Sequence, residues 1–200
     1  VAALPGGCAL QSWQMVTAVH QEPVGAQHNN TFLGYWATCE APGGASPAGK
    51  GGYGVVFGKR AQIFDRQAHP QVWVALTALL AAGFPLRANC NPKPRPCELP
   101  GGVKNAGKMD PRAFADHLRR AAFVLGVGQP RDSPSPLVAL ACGTPAINPW
   151  EQWKGRRRYQ HRGLATMGPP QVYNVDLGDA QAVVEAARRA RGTPSPPTFP

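Results

Sequence analysis

The sequence predicts an α/β fold, a Rossmann-like, doubly wound parallel sheet, and three observations predict it. Short apolar runs alternate with stretches whose apolar residues recur at helical spacing. The boundaries carry Gly, Pro, Asp or Ser of the kind that ends a strand or starts a helix. The chain has 200 residues, 43% of them hydrophobic and only 16% charged, which excludes a solvating disordered chain and fits one compact domain.

Thr31-Phe32-Leu33-Gly34-Tyr35-Trp36-Ala37 reads as a buried strand, and the Gly/Pro/Ala/Ser-rich stretch Ala41 to Gly52 as a loop. Tyr53 to Gly58 is a second short strand. After Pro70, Val72, Trp73, Leu76, Leu79 and Leu80 fall at helical spacing up to Gly83, and Phe84 to Ala88 starts the next strand. Asp110-Pro111 opens a helix with Phe114, Leu118 and Ala121 on one face, and Phe123 to Gly128 follows as a buried strand. Ser133-Pro134 opens another helix that Gly143 ends, and Pro145 to Asn148 is a short strand leading to the surface. Val172 to Leu177 is the last strand, and Asp179 caps a helix through Arg191. Strand and helix alternating in this way place helices on both faces of one sheet.

Charge narrows the partners. Lys and Arg number 21 against 11 Asp and Glu, a net +10 that favours an anionic ligand: nucleic acid, phosphate, a sugar nucleotide or a membrane surface. A nucleic-acid role rests on charge and interleaved aromatics alone, without an RNA-binding or zinc motif. The five cysteines, Cys8, Cys39, Cys90, Cys97 and Cys142, lack zinc-site spacing. Cys90 and Cys97 flank a proline-rich turn and suit either a small disulfide loop or two free thiols, and the odd count leaves one thiol over. The longest apolar run, Val72 to Leu86, is interrupted and too short to cross a bilayer. A start at Val1 and a close in Pro-rich residues 193–200 suggest a piece of a longer protein: a connection over 1–26, a domain over 27–192, then the tail.

Gly126 to Pro136 carries the expected chemistry. A buried strand runs through two glycines into a helix start, at the sheet edge where α/β folds bind ligands. An anion fits there, although Pro134 and Pro136 remove two N–H donors. An ordinary helix N-terminus explains the same residues equally well.

Several ordered blocks add a resemblance. Val103-Lys104-Asn105-Ala106-Gly107, then Gly126-Val127-Gly128-Gln129-Pro130, a proline-spaced helix start, Ala139-Leu140-Ala141-Cys142-Gly143 and Asn148-Pro149 are similar to glycosyltransferase family 18. Asn30 to Tyr35, Val56 to Lys59 and Val172 to Leu177 agree in order, so the resemblance covers residues 27–200. It implies the C-terminal, donor-binding half of a GT-B enzyme. Such an enzyme moves N-acetylglucosamine from UDP-N-acetylglucosamine to the 6-hydroxyl of a mannose in N-glycans of glycoproteins. It inverts the anomeric centre without a metal or other cofactor, from the lumenal side of the Golgi membrane, held by an anchor outside these residues. The carboxylate base is expected on the missing N-terminal domain, so no catalytic residue is assigned here and no nucleic-acid partner is expected. A degenerate nucleotide-binding module without catalysis is the alternative.

By the same resemblance, Lys104, Asn105 and Gly107 should lie against the uracil. Gly128, Gln129, Pro130, Asp132, Ser133 and Ser135 should face the diphosphate and the transferred sugar. Val138 stands where the family has a Glu that grips the ribose, and valine accepts no hydrogen bond. The family lysine that offsets diphosphate charge falls in a shortened segment, Trp150 to Pro170, where Lys154, Arg156, Arg157 and Arg158 are the candidates, and Lys154 and Arg157 are expected to contact the donor. A solvated basic loop explains this run as well. Trp150 and Trp153 fit either stacking or the core, and Asn29-Asn30-Thr31 matches a glycosylation acceptor sequence.

Overall fold

The computed structural model describes Cys39, residues 52–128 and residues 131–192. The strand expected at residues 31–37, the acceptor sequence at 29–31, Cys8, Gln129, Pro130 and the tail all lie outside those residues.

Among the described residues, seven strands form one sheet: β1 (Gly54–Arg60), β2 (Leu86–Asn91), β3 (Val103–Asn105), β4 (Phe123–Gly126), β5 (Ala146–Trp153), β6 (Arg156–Tyr159) and β7 (Val172–Asp176). Four α-helices accompany them in the same residues: α1 (Pro70–Ala81), α2 (Pro111–Arg119), α3 (Ser135–Ala141) and α4 (Ala180–Gly192). The order is β3-β2-β1-β4-β5, with β7 beside the first half of β5 and β6 beside its second half. All pairs are parallel except the β5–β6 hairpin. The chain winds outward from β1 through β2 to β3, then returns to β4 on the other side. This is a doubly wound sheet with its switch point between β1 and β4, the place where such folds open a crevice at the strands' carboxyl ends.

Period-two alternation along buried strands explains the two cores. In β1, Val56 faces α1 and α4 with Phe123, Leu125 and Ile147, whereas Val55 and Phe57 face α2 and α3 with Val124 and Ala146. Leu76, Leu79 and Phe123 are fully buried, each stabilising by roughly 1.5–3 kcal/mol. Gly54 is required by this packing, since a Cβ there would lie 2.2 Å from the Phe123 ring.

The helix boundaries follow local chemistry. Pro70 and Pro111 occupy first-turn positions that need no N–H donor. Asp110 and Asp179 accept from the Ala113 and Ala182 N–H groups at 2.9 and 3.0 Å. Gly83 and Gly143 follow α1 and α3 with positive φ, the left-handed conformation that closes a helix.

Two expectations need correction. The strand expected at Pro145 to Asn148 continues to Trp153 and turns back through Lys154-Gly155 into β6, so the basic run is a β-hairpin rather than a solvated loop. Lys154 and Gly155 both have positive φ, 47° and 75°, the geometry that matches a two-residue turn to strand twist. Ser133 does not cap α3: Pro134 holds the cap position without a side-chain bond, and Ser133 is buried. The cysteine alternatives also resolve, as Cys39–Cys142 and Cys90–Cys97 are both disulfides.

Candidate functional site

A crevice of about 710 Å³ opens at the carboxyl ends of β1 and β2, on the face covered by α2 and α3. That volume lies within the range of small-molecule sites. Its floor is Phe57, Asn89 and Asn91, one wall is Gly107 to Met109 with Phe114 of α2, and the other is Pro134, Ser135 and Val138 at α3. Lys59, Arg60, Lys93 and Lys108 line it, and no Asp or Glu does among the described residues. Four cations without a counter-charge create a field that concentrates anions.

The walls are built by short-range bonds. Asn105 Oδ1 accepts from the Gly107 N–H at 3.0 Å and from the Cys90 N–H at 3.2 Å, tying the turn after β3 to the end of β2. Asn89 Nδ2 donates to the Gly107 carbonyl at 3.4 Å, and Gly107 itself takes φ 71°, so glycine suits this turn. The Cys90–Cys97 disulfide closes the loop that brings Lys93 and Pro94 to the rim.

The glycine-flanked segment after β4 packs closely against β1 and Gln160, and Val127, Gly128 and Arg131 line only a second, smaller cavity of about 90 Å³ with Pro149, Glu151 and Gln160. A Cβ on Gly128 would lie 2.9 Å from the Gly58 Cα, and Gln160 Nε2 donates to the Gly128 carbonyl at 2.6 Å. Asp132, at φ 58°, donates its N–H to the Gln160 carbonyl at 2.9 Å. Its carboxylate, 10% exposed, accepts from the Arg162 backbone N–H and Nε at 2.6 and 2.9 Å. His161 beside it is buried with both ring nitrogens lacking partners among the described residues, and burial lowers its pKa.

Of the residues expected to hold a donor, Gly107 and Ser135 therefore line the crevice, and Val138 joins them. Lys104 is exposed on β3, and Asn105 uses its side chain to build the turn. Gly128, Asp132 and Ser133 lie in or beside the packed segment. Lys154 and Arg157 stand on the hairpin, Arg157 stacked 4.6 Å over Trp150, and neither lines the crevice. Lys59 and Arg60 at the end of β1, Lys93 after β2 and Lys108 after β3 come from three separate stretches of sequence, two of them beside blocks whose motif is carried by other residues. Only strand order brings them together.

The hairpin base is held separately. Glu151 pairs with both Arg131 and Arg158, and Arg131 also donates to the Tyr159 carbonyl at 3.0 Å. Burial lowers the Arg131 pKa, against the opposing pull of Glu151.

Comparison with known proteins adds independent information. The chain is 33% identical to the mouse alpha-1,6-mannosylglycoprotein 6-beta-N-acetylglucosaminyltransferase B over 89 residues, and 33% identical to the human protein of that name over the same length. The match covers 44% of this chain and 11% of each relative, so the chain corresponds to a small part of them. Among solved structures, the spinosyn rhamnosyltransferase SpnG with spinosyn aglycone aligns over 84% of this chain and 43% of its own, at 17% identity and a TM-score of 0.45. The glycosyltransferase SnogD from Streptomyces nogalater aligns over 83% and 43%, at 15% identity and a TM-score of 0.42. The profile of glycosyltransferase family 18 matches residues 6–200, nearly the whole sequence, and on that match the chain belongs to glycosyltransferase family 18.

Proposed function

We propose that this chain is the donor-binding, C-terminal half of a GT-B transferase, and that the 710 Å³ crevice holds the nucleoside diphosphate of UDP-N-acetylglucosamine. One observation carries the reading: Lys59, Arg60, Lys93 and Lys108 converge, without a carboxylate, on an open crevice beside the sheet's switch point. Phe57, Met109, Pro111 and Phe114 supply apolar surface for a base, and the cations supply charge for a diphosphate.

In this reading the transfer goes to the 6-hydroxyl of a mannose in an N-glycan. Support comes from the relatives' name, alpha-1,6-mannosylglycoprotein 6-beta-N-acetylglucosaminyltransferase. Inversion needs a carboxylate to take the acceptor proton. The described residues of the crevice offer none, and in this reading the base is supplied from outside them. The contribution of these residues is to bind the donor and, through the cations, to stabilise the negative charge that develops on the departing diphosphate, with no metal. A Golgi setting, with the anchor elsewhere, accords with two disulfides, which persist in oxidising compartments.

A second reading, a nucleotide-binding module that no longer catalyses, is favoured by Val138, an apolar side chain on the crevice wall where a ribose acceptor would be useful. Calorimetric titration with UDP and UDP-N-acetylglucosamine tests the proposal. Saturable heat for both, weakened by Lys59→Ala and Lys108→Ala together, is expected. No heat at millimolar ligand overturns both readings, and UDP binding by a full-length protein without transfer leaves the second.

A further inference from the structure

Opposed residues of an antiparallel hairpin share a face, so Glu151, Trp153, Arg156 and Arg158 lie on one side of β5–β6. Glu151 is taken up by Arg131 and Arg158, which leaves no free acid on that side among the described residues. Trp153 is 51% exposed, one of two large apolar side chains that the described residues present to solvent. The Arg158 guanidinium stacks 4.2 Å over its ring and the Lys154 ammonium lies 6.0 Å from it. Arg156, directly opposite Trp153, is exposed and pairs with no acid among the described residues. The hairpin base is clamped by Arg131, and its two-residue turn is conformationally fixed, so this face exists before any partner arrives.

An exposed indole framed by cations matches a ligand with two properties, a ring face to cover the indole and acidic substituents to meet guanidinium groups. Sugars carrying acidic groups and nucleotides both have them. Free nucleotides would meet the crevice cations as readily, but a polymer needs a surface; the two disulfides then favour sulfated sugar chains over nucleic-acid strands, because they place the chain in an oxidising, secretory setting where the former are displayed and the latter are not. Lys154 and Arg156 beside the ring, with Arg158 held between the ring and Glu151, suit a repeating anion better than a single carboxylate. We propose that the Trp153–Arg156–Arg158 face of the hairpin, with Lys154, docks a sulfated polysaccharide. The surface is separate from the crevice, and the proposal does not depend on the donor assignment.

The test titrates the full 200-residue chain with heparin as the probe at physiological ionic strength. Trp153→Ala should weaken binding about fivefold. Arg156→Gln should weaken it about threefold and make it less sensitive to salt. Arg112→Gln and Arg188→Gln, exposed charges on α2 and α4, remove the same charge elsewhere and should change affinity less than about twofold. The hairpin variants should keep the parent's thermal unfolding midpoint and its response to UDP. Equal losses for the control variants would reduce the effect to net charge and overturn the proposal. So would an unchanged affinity in Trp153→Ala, or a single-stranded oligonucleotide that displaces heparin and binds more tightly through the same residues.

Discussion

The Asp132 carboxylate is held by Arg162, accepting from its backbone N–H at 2.6 Å and from its Nε at 2.9 Å. The acid that sequence reasoning placed against the donor sugar thus joins the β4–α3 connection to the segment after β6. Asp132→Ala should lower stability by about 2 kcal/mol, mostly through the lost backbone bond, since Arg162 is well exposed. UDP affinity in the folded variant should stay within about twofold, because Asp132 does not line the crevice. Urea unfolding and calorimetry together check this. A large loss of affinity without loss of stability would restore Asp132 to the ligand.

Val138 forms part of a crevice wall that holds four cations and no acid. Val138→Glu should strengthen UDP binding by about 1 kcal/mol by adding an acceptor for the ribose hydroxyls. Binding of 2′,3′-dideoxy-UDP should gain less, and comparing the two ligands separates ribose contact from any general charge effect.

His117 is buried under Tyr53, whose hydroxyl lies 3.2 Å from its Nδ1, and its Nε2 has no partner among the described residues. Burial first, then the Arg87 and Arg120 charges, push its pKa down to about 4. The folded state therefore binds its proton less readily than the unfolded chain, whose ordinary value is about 6.5. The resulting stability is fully present above about pH 6.5 and is lost as pH falls toward 4, by on the order of 1–2 kcal/mol. The buried His161, lowered in the same direction, adds to the slope. Urea unfolding between pH 4 and 7 should show this loss, and His117→Gln should flatten it.

Reduction should separate the two disulfides by their loop lengths. Cys39–Cys142 spans 103 residues and Cys90–Cys97 spans 7, so chain entropy assigns about 4–5 and about 2 kcal/mol. Cys142→Ser should lower the unfolding midpoint more than Cys97→Ser. Cys97→Ser should weaken UDP binding more, because it loosens the loop that holds Lys93 at the rim.

Much of the fold was legible because its signals are local. Pro70, Asp110-Pro111, Gly83 and Asp179 mark helix ends through their own backbone chemistry, the apolar runs at residues 54–57 and 123–126 are strands buried on both faces, and Val172, Tyr173 and Val175 mark a third. Two strands were hidden. The three residues of β3 include no buried side chain, and β6 reads Arg-Arg-Arg-Tyr, whose pairing with β5 depends on the Lys154-Gly155 turn. The site was legible only in part. Gly107 and Ser135 sit on blocks visible in the sequence, whereas Lys59, Arg60, Lys93 and Lys108 come from three separate segments that strand order assembles. Gly126 and Gly128 carry a second physical reason that the sequence does not reveal: their missing side chains make room for Gln160 and for the Gly58 backbone.

The most direct test of the donor crevice is a map of backbone amide shifts in the labelled chain as UDP is added. Saturable shifts at Lys59, Gly107, Lys108 and Ser135, with Asp132, Arg162 and the hairpin residues Gln152 to Arg157 unmoved, are the predicted result. Shifts centred on Asp132 and Arg162, or none at millimolar UDP, would contradict the assignment of the crevice.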